Sequence, residues 1–158
     1  NRLVLEPGEG LFVPAGMMHA HLQGTGVEVM ANSDNVIRGG LTNKHIDVSE
    51  LVTVVDFNPW LPEVLHPSET RPGVLKYETP CSEFEAWRMH VDHDTGPIRV
   101  PGRGSARILL ATDGSCLLDD GRSRLQLARG CAAFLSADEQ DVFASGRAEV
   151  HGASSGIR

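Results

Sequence analysis

The sequence predicts a mainly β, antiparallel fold with one short helix. Three observations carry that expectation: short apolar or alternating runs punctuated by Pro, Gly and polar turns, an internal repeat at an offset of 122 residues, and a single segment with a helix-start signal. The chain has 158 residues and 17.0 kDa, which suits one domain or two small ones sharing a boundary. With 41% hydrophobic and 22% charged residues it is too apolar to be mainly disordered. Lys plus Arg is 14 against Asp plus Glu 21, and the resulting net charge of -7 argues against a nucleic-acid or anionic-membrane surface. A bound phosphate would therefore have to meet local cations. No apolar run approaches the roughly 18 to 20 residues of a membrane span, and no signal peptide opens the chain. Cys81, Cys116 and Cys131 are odd in number and widely spaced, without a CxxC pair, as suits a reducing compartment. The expected location is cytoplasmic. The chain begins at Asn1 and alternates from Arg2 onward as in mid-sheet, so a fragment of something longer is expected.

In order along the chain, Arg2 to Leu5, Gly10 to Val13, Ala20 to Leu22 and Val27 to Met30 read as short strands. Asp47-Val-Ser-Glu50 is a capping-box-like start: a side-chain oxygen is available for orphan amides and Glu sits at the third helical position, predicting a helix near 48 to 55. From Asn58 to Pro80, prolines at 59, 62, 67, 72 and 80 remove backbone donors, so residues 58–82 are expected as a proline-rich linker or a surface-hugging crossover. Beyond it, Phe84 to Val91, Ala106 to Ala111, Ser115 to Leu118, Arg124 to Leu127, Ala132 to Leu135 and Ala148 to His151 read as strands. Asp113-Gly114 and Asp120-Gly121 are turn signals between them. The predicted organisation is thus 1–57, a linker over 58–82, and a second β unit over 83–158.

The repeat lays Arg2-Leu-Val-Leu-Glu-Pro-Gly8 on Arg124-Leu-Gln-Leu-Ala-Arg-Gly130, and continues ungapped through Phe12 on Phe134, Ala15 on Ala137 and Gly24 on Gly146. Two copies of one β unit are expected. The first copy contains Gly8-x5-Pro14-x-Gly16-x2-His19, which resembles the second sequence motif of the cupin superfamily. Gly8 would turn into a strand, Pro14 and Gly16 would bend its end, and His19 would open the next strand facing a barrel interior, where an imidazole can bind a metal. The second copy holds Gly130, Ser136, Asp138 and Asp141 at these positions, and reads as a cupin unit without metal ligands. The fold expected from this resemblance is the end of one cupin-type jelly roll followed by a second, small one.

From Pro14 to Lys44 the chain reads PAGMMHAHLQGTGVEVMANSDNVIRGGLTNK. This block resembles the C-terminal part of type I mannose-6-phosphate isomerases, where it typically runs PHAYLxGxxxEVMAxSDNVxRxGLTPK. The resemblance continues through the helix after Asp47 and, more weakly, through Tyr77-Glu-Thr-Pro80 to the second unit. It implies a reversible aldose-ketose isomerisation between mannose 6-phosphate and fructose 6-phosphate, with a zinc ion and proton transfer through a cis-enediol. The whole protein is expected to act on a small sugar phosphate as a monomer, with no nucleic-acid or membrane partner.

Residue by residue, the resemblance places His19 as a zinc ligand, suited as a neutral imidazole donor. Arg38 matches the family's active-site arginine, whose fork of donors could hold phosphate or stabilise enediolate charge. Asp34 could transfer a proton or orient Arg38. Glu28 is a candidate contact to a substrate hydroxyl, or an edge carboxylate. Lys44 could complement the phosphate, and reads equally well as a surface lysine beside a helix start. Three departures stand out: Met18 and Asn43 replace prolines, and His21 replaces the usual tyrosine. In a strand His21 and His19 would share a face, and His21 is read as a substrate-pocket residue. The family's Gln-x-His segment and distant glutamate have no match, so the remaining zinc ligands are expected upstream and this chain alone should be inactive. The competing expectations are a degenerate bicupin that binds a sugar phosphate without catalysis, and a structural interaction domain.

Overall fold

The computed structural model describes residues 2–32, 36–139 and 141–156. The chain divides into two compact units, residues 1–65 and 66–158. Among the described residues no helix is long and apolar enough to cross a membrane.

The first unit carries little regular structure. Strand β1 (Gly10–Leu11) pairs antiparallel with β2 (Val64–Leu65), and helix α1 (Val48–Val54) lies between them in sequence. The helix forms where its start signal predicts: the Asp47 carboxylate accepts from the Glu50 backbone N–H at 3.1 Å and from the Ser49 hydroxyl at 2.7 Å, and the chain leaves the helix at Val55. Arg2 to Leu5, Ala20 to Leu22 and Val27 to Met30, expected as strands, are not strands, and of Gly10 to Val13 only the first two residues pair. A strand is defined by its neighbour, and among the described residues these runs have none. Their apolar side chains stand in solvent instead, with Val4 78%, Leu22 74% and Met30 61% exposed, and no described residue of this unit is buried. The described part of residues 1–57 therefore forms no closed barrel.

The second unit is an antiparallel sheet folded around one core. Its strands are β3 (Ser68–Arg71), β4 (Val74–Tyr77), β5 (Phe84–Val91), β6 (Ile98–Arg99), β7 (Arg107–Asp119), β8 (Arg124–Ala128), β9 (Ala132–Leu135) and β10 (Phe143–Ser155). The order is β3-β4-β5-β10-β7-β8, with β6 also on β10 and β9 also on β7. Alternation in β5 sends Trp87, Met89 and Val91 inward, where they join Leu109, Ala111, Cys116 and Leu118 of β7 and Ala144, Ala148 and Val150 of β10. Gly152 is required by this packing, because a Cβ there would lie 2.0 Å from the Trp87 ring.

Two expectations change here. Asp113-Gly114 does not separate two strands; it lies inside β7, which pairs with β10 on both sides of it. Gly114 takes φ 63° and passes the Arg147 carbonyl so closely that a Cβ would be 2.2 Å from its oxygen, while Gly146, opposite Cys116, takes φ 127°. These glycines, with the register shift at Glu149/Val150, bend a 13-residue pair rather than reverse the chain. Residues 58–82, expected as linker, carry β2, β3 and β4. Every proline falls outside a strand, and Pro72-Gly73 makes the turn between β3 and β4, with Gly73 at φ 73°. That turn is anchored by the His90 N–H, which donates to the Gly73 carbonyl at 2.8 Å.

The 122-residue repeat is visible in the backbone. The Glu9 N–H donates to the Glu6 carbonyl as the Cys131 N–H does to Ala128, and the Met17 N–H donates to the Pro14 carbonyl as the Glu139 N–H does to Ser136. Gly8 and Gly130 take φ 94° and 79°, and Gly24 and Gly146 take 119° and 127°. Strands β1 and β9 begin at equivalent positions. The copies part on either side of this shared turn-strand-turn: Arg124–Ala128 and Phe143–Ser155 are strands, while residues 2–6 and 21–32 in the first copy are not.

Candidate functional site

The motif residues of the first unit are held by a turn packed against the end of α1. Gly16 takes φ 82°, its carbonyl accepts from the Asp56 N–H at 3.0 Å, and a Cβ on it would lie 3.1 Å from the Val54 carbonyl oxygen. Two residues on, Met18 lies over the backbone of Gly39: a Cβ there would come within 2.8 Å of the Met18 methyl. This contact brings the segment leading into His19 next to the segment leaving Arg38. Met18 thus takes a packing role at the position where it departs from proline.

His19 is exposed, and its Nδ1 lies 3.2 Å from the Met17 carbonyl oxygen. With Nδ1–H donating to that oxygen, the neutral ring leaves its Nε2 lone pair available, the tautomer a metal-binding imidazole needs. His21 is not on a shared strand face with His19. Its ring meets the His19 ring edge-on, with centroids 5.7 Å apart and planes at 66°. Among the described residues no group of three or more His, Cys, Asp or Glu side chains could hold a metal ion. His19 thus offers one nitrogen donor of the kind zinc takes, and among the described residues no further donors gather with it into a metal site.

Arg38 and Lys44 converge. Both line an open depression of about 430 Å³, together with Val36, Ile37, His45 and Asp47. Among the described residues neither cation has a carboxylate within ion-pair distance. Among the described residues lining it the carboxylate is Asp47, already engaged as the helix cap: the Glu50 N–H, the Ser49 hydroxyl and the charge of His45 hold its pKa below the usual carboxylate range. The depression therefore presents positive charge in a protein whose net charge is negative, an arrangement suited to an anionic ligand. His45 was not singled out by its sequence pattern; its adjacency to Lys44 is the signal that could have found it. Glu28 is exposed and does not line the depression that Arg38 and Lys44 share. Asp34 lies outside the described residues.

In the second unit the counterpart of His19 is Asp141, which pairs with Arg99 at 3.3 Å and Arg103 at 3.7 Å. That position is occupied by an ion-pair network in place of an imidazole. A separate titratable cluster joins β5 to β10: His90 bonds Glu149 through Nδ1 and Asp92 through Nε2 at 3.1 Å, and Arg88 approaches Glu149 at 3.6 Å. The hydrogen bond to Glu149 raises the His90 pKa, while burial beside Arg88 lowers that of His151.

No family model matches the chain. The chain is 42% identical over 147 residues to the mannose-6-phosphate isomerase of Salmonella typhimurium, covering 92% of this chain and 37% of that protein. It is 39% identical over 153 residues to the enzyme of Escherichia coli (95% and 38%), and 36% identical over 151 residues to mannose-6-phosphate isomerase 2 of Arabidopsis thaliana (95% and 34%). The crystal structure of the Salmonella typhimurium enzyme bound to fructose 6-phosphate and zinc matches with a TM-score of 0.65 at 35% identity, over 80% of this chain and 32% of that one. The chain spans little more than a third of the length of these relatives, matching their C-terminal part. Over most of its length, the chain is homologous to the C-terminal part of the mannose-6-phosphate isomerases.

Proposed function

We propose that this chain supplies the C-terminal part of a zinc-dependent isomerase that interconverts mannose 6-phosphate and fructose 6-phosphate. The observation that carries the proposal is the convergence of Arg38 and Lys44 on one depression, within the block from Pro14 to Lys44 that resembles the isomerases. A sugar phosphate is dianionic near neutrality, and a protein of net charge -7 needs a local anchor for it. Arg38 offers a planar fork of donors to phosphate or enediolate oxygens, Lys44 adds a mobile point charge, and Glu28 and His21 are candidate contacts to the sugar hydroxyls. Asp34 is the candidate to move a proton or to orient Arg38. His19 would give one imidazole to zinc, with the other ligands contributed by polypeptide outside this chain. The whole protein is proposed to be a cytoplasmic monomer with neither nucleic-acid nor membrane partners.

A second reading is a sugar-phosphate-binding module without catalysis. It is favoured by one observation: the described residues do not gather a metal site. Paired zinc stoichiometry and turnover separate the two, measured on a chimera of the Salmonella typhimurium isomerase in which these 158 residues replace the matching C-terminal part. The isomerase reading expects turnover with one zinc per chain, and loss of the metal in His19→Ala. Binding of fructose 6-phosphate without turnover would favour the module.

A further inference from the structure

The depression that Arg38 and Lys44 share is made by a chain that doubles back on itself. Residues 36–38 line one side and residues 44, 45 and 47 the other, while residues 39–43 lie outside it. The reversal uses two consecutive positive φ angles, 150° at Gly40 and 52° at Leu41, the second rarely taken by a leucine. On the returning side the Lys44 N–H donates to the Thr42 hydroxyl at 3.2 Å, which fixes the chain just before His45. His45 is exposed, lines the same space, and lies near enough to the Asp47 carboxylate to act on it by charge. Val36 and Ile37 bring no polar side-chain atom. Among the described residues, the side-chain donors lining the depression are therefore a guanidinium, an ammonium and an imidazole.

We propose that His45 is the third phosphate-binding side chain of this depression: a ring N–H of His45 donates to the phosphoryl oxygen that the Arg38 fork and Lys44 leave open, and the three close on the phosphoryl group of a sugar phosphate. A phosphate monoester presents three strong acceptor oxygens and close to two negative charges near neutrality. The guanidinium can hold two of those oxygens side by side, and Lys44 neutralises charge without fixing direction. An imidazole N–H adds a directed bond to the third. Asp47 opposes the ligand from the same wall, and His45, acting on that carboxylate, offsets the repulsion. The volume of about 430 Å³ leaves room for the sugar beside the phosphoryl group. This deepens the isomerase reading and rests on it for the sugar, whereas the phosphoryl contact rests on the three side chains alone.

The test begins with this chain and two probes, inorganic phosphate and fructose 6-phosphate, followed by calorimetry and by the NMR resonances of the His45 ring. Both probes should bind and move those resonances, and fructose should do neither. His45→Phe keeps a ring without nitrogens and should weaken both probes by roughly five- to tenfold, the effect of one hydrogen bond to a charged group. His45→Lys restores a cationic donor and should recover most of that loss. Asp47→Asn keeps a good helix cap, removes the opposing charge, and should tighten both probes by about twofold or more. Failure of either probe to bind would overturn the proposal, as would an unchanged affinity in His45→Phe or a loss that His45→Lys does not recover. In the Salmonella typhimurium chimera, His45→Phe should raise KM for fructose 6-phosphate by a similar factor and leave kcat within about twofold, because the phosphoryl group is held alike before and during reaction. A fall in kcat at constant KM would overturn the assignment to the phosphoryl group. An inactive chimera with His45-dependent phosphate binding would defeat the isomerase reading and leave this subsite standing; an active chimera whose KM ignores His45→Phe would do the reverse.

Discussion

The same turn-strand-turn occurs twice in this chain and meets opposite fates. Around Gly130 it is flanked by β8 and β10, and the strands bury Leu127, Ala133, Leu135 and Ala144 in a continuous core. Around Gly8 the turns keep their hydrogen bonds and backbone angles, yet the flanking runs lie unpaired with Val4, Leu22 and Met30 in solvent. Turns are local: a glycine with positive φ and one short hydrogen bond suffice. Strands are not, because their hydrogen bonds and half of their burial come from residues far away in sequence. The two copies therefore separate what a short sequence can impose from what only a partner can.

The largest effect that should sharpen this contrast lies at an equivalent pair, Gly152 and Met30. Gly152→Val would drive its side chain into the Trp87 ring, whose nearest atom is 2.0 Å from the Cβ position. Trp87 is 2% exposed and cannot swing away cheaply, so a loss of about 3 kcal/mol or more is expected. Met30→Val, at a side chain 61% exposed, should change stability by less than about 0.5 kcal/mol. Urea unfolding followed by tryptophan fluorescence checks both, and a neutral Gly152→Val would break the account of the core. Leu127 and Leu5 make the next pair. Leu127→Ala should cost about 2 to 4 kcal/mol, whereas Leu5→Ala should be nearly silent in this chain. Equal costs would mean that the first copy is as well packed as the second.

Within the first unit, Arg38→Lys tests chemistry rather than packing. Arg38 is exposed, so the chimera should fold and keep its zinc. Lysine preserves the charge but not the fork, and isomerase turnover should fall by roughly tenfold to a thousandfold, about 1.4 to 4 kcal/mol. Unchanged turnover, or zinc loss matching that of His19→Ala, would remove Arg38 from the substrate chemistry.

How much of this was legible in the sequence follows the same division. The helix at Val48–Val54 was readable because its cap, Asp47, lies within three residues of the groups it satisfies. The block from Pro14 to Lys44 was readable as a family signature, but the convergence of Arg38 with His45 was not, since it depends on how the intervening loop folds. Asp113-Gly114 misled because the dipeptide specifies positive φ, which serves a bend as well as a reversal; only the uninterrupted β10 opposite decides between them. The prolines of residues 58–82 hid β3 and β4 because short strands fit between them, with Pro72 at the turn itself. The link between His90 and Glu149 spans 59 residues and leaves no local trace.

That link yields the smallest contrast of these tests, and it belongs to the paired copy alone. His90 is held by Glu149 across the strand pair and by Asp92 on its own side, with Arg88 on the far side of Glu149. Its folded pKa is raised, first by the hydrogen bond it donates to Glu149, so its contribution is fully present below the ordinary value of 6.5 and is lost as pH rises through the folded value. His151 has the opposite sign. Burial, and then Arg88, lowers its folded pKa, so its contribution is present above 6.5 and is lost as pH falls through the folded value. The two oppose each other, and the stability of the second unit should show a shallow maximum near neutrality. In His90→Gln the loss above pH 6.5 should shrink while the loss toward acid persists. The His90 side chain is 54% exposed, so the change should stay below about 1 kcal/mol, within the range of water-exposed ion pairs. Urea midpoints between pH 5 and 9 for the wild type and His90→Gln measure it. Coincident curves above pH 6.5 would show that the bond between β5 and β10 contributes nothing to holding this copy together, leaving its apolar core as the whole of what distinguishes it from the first.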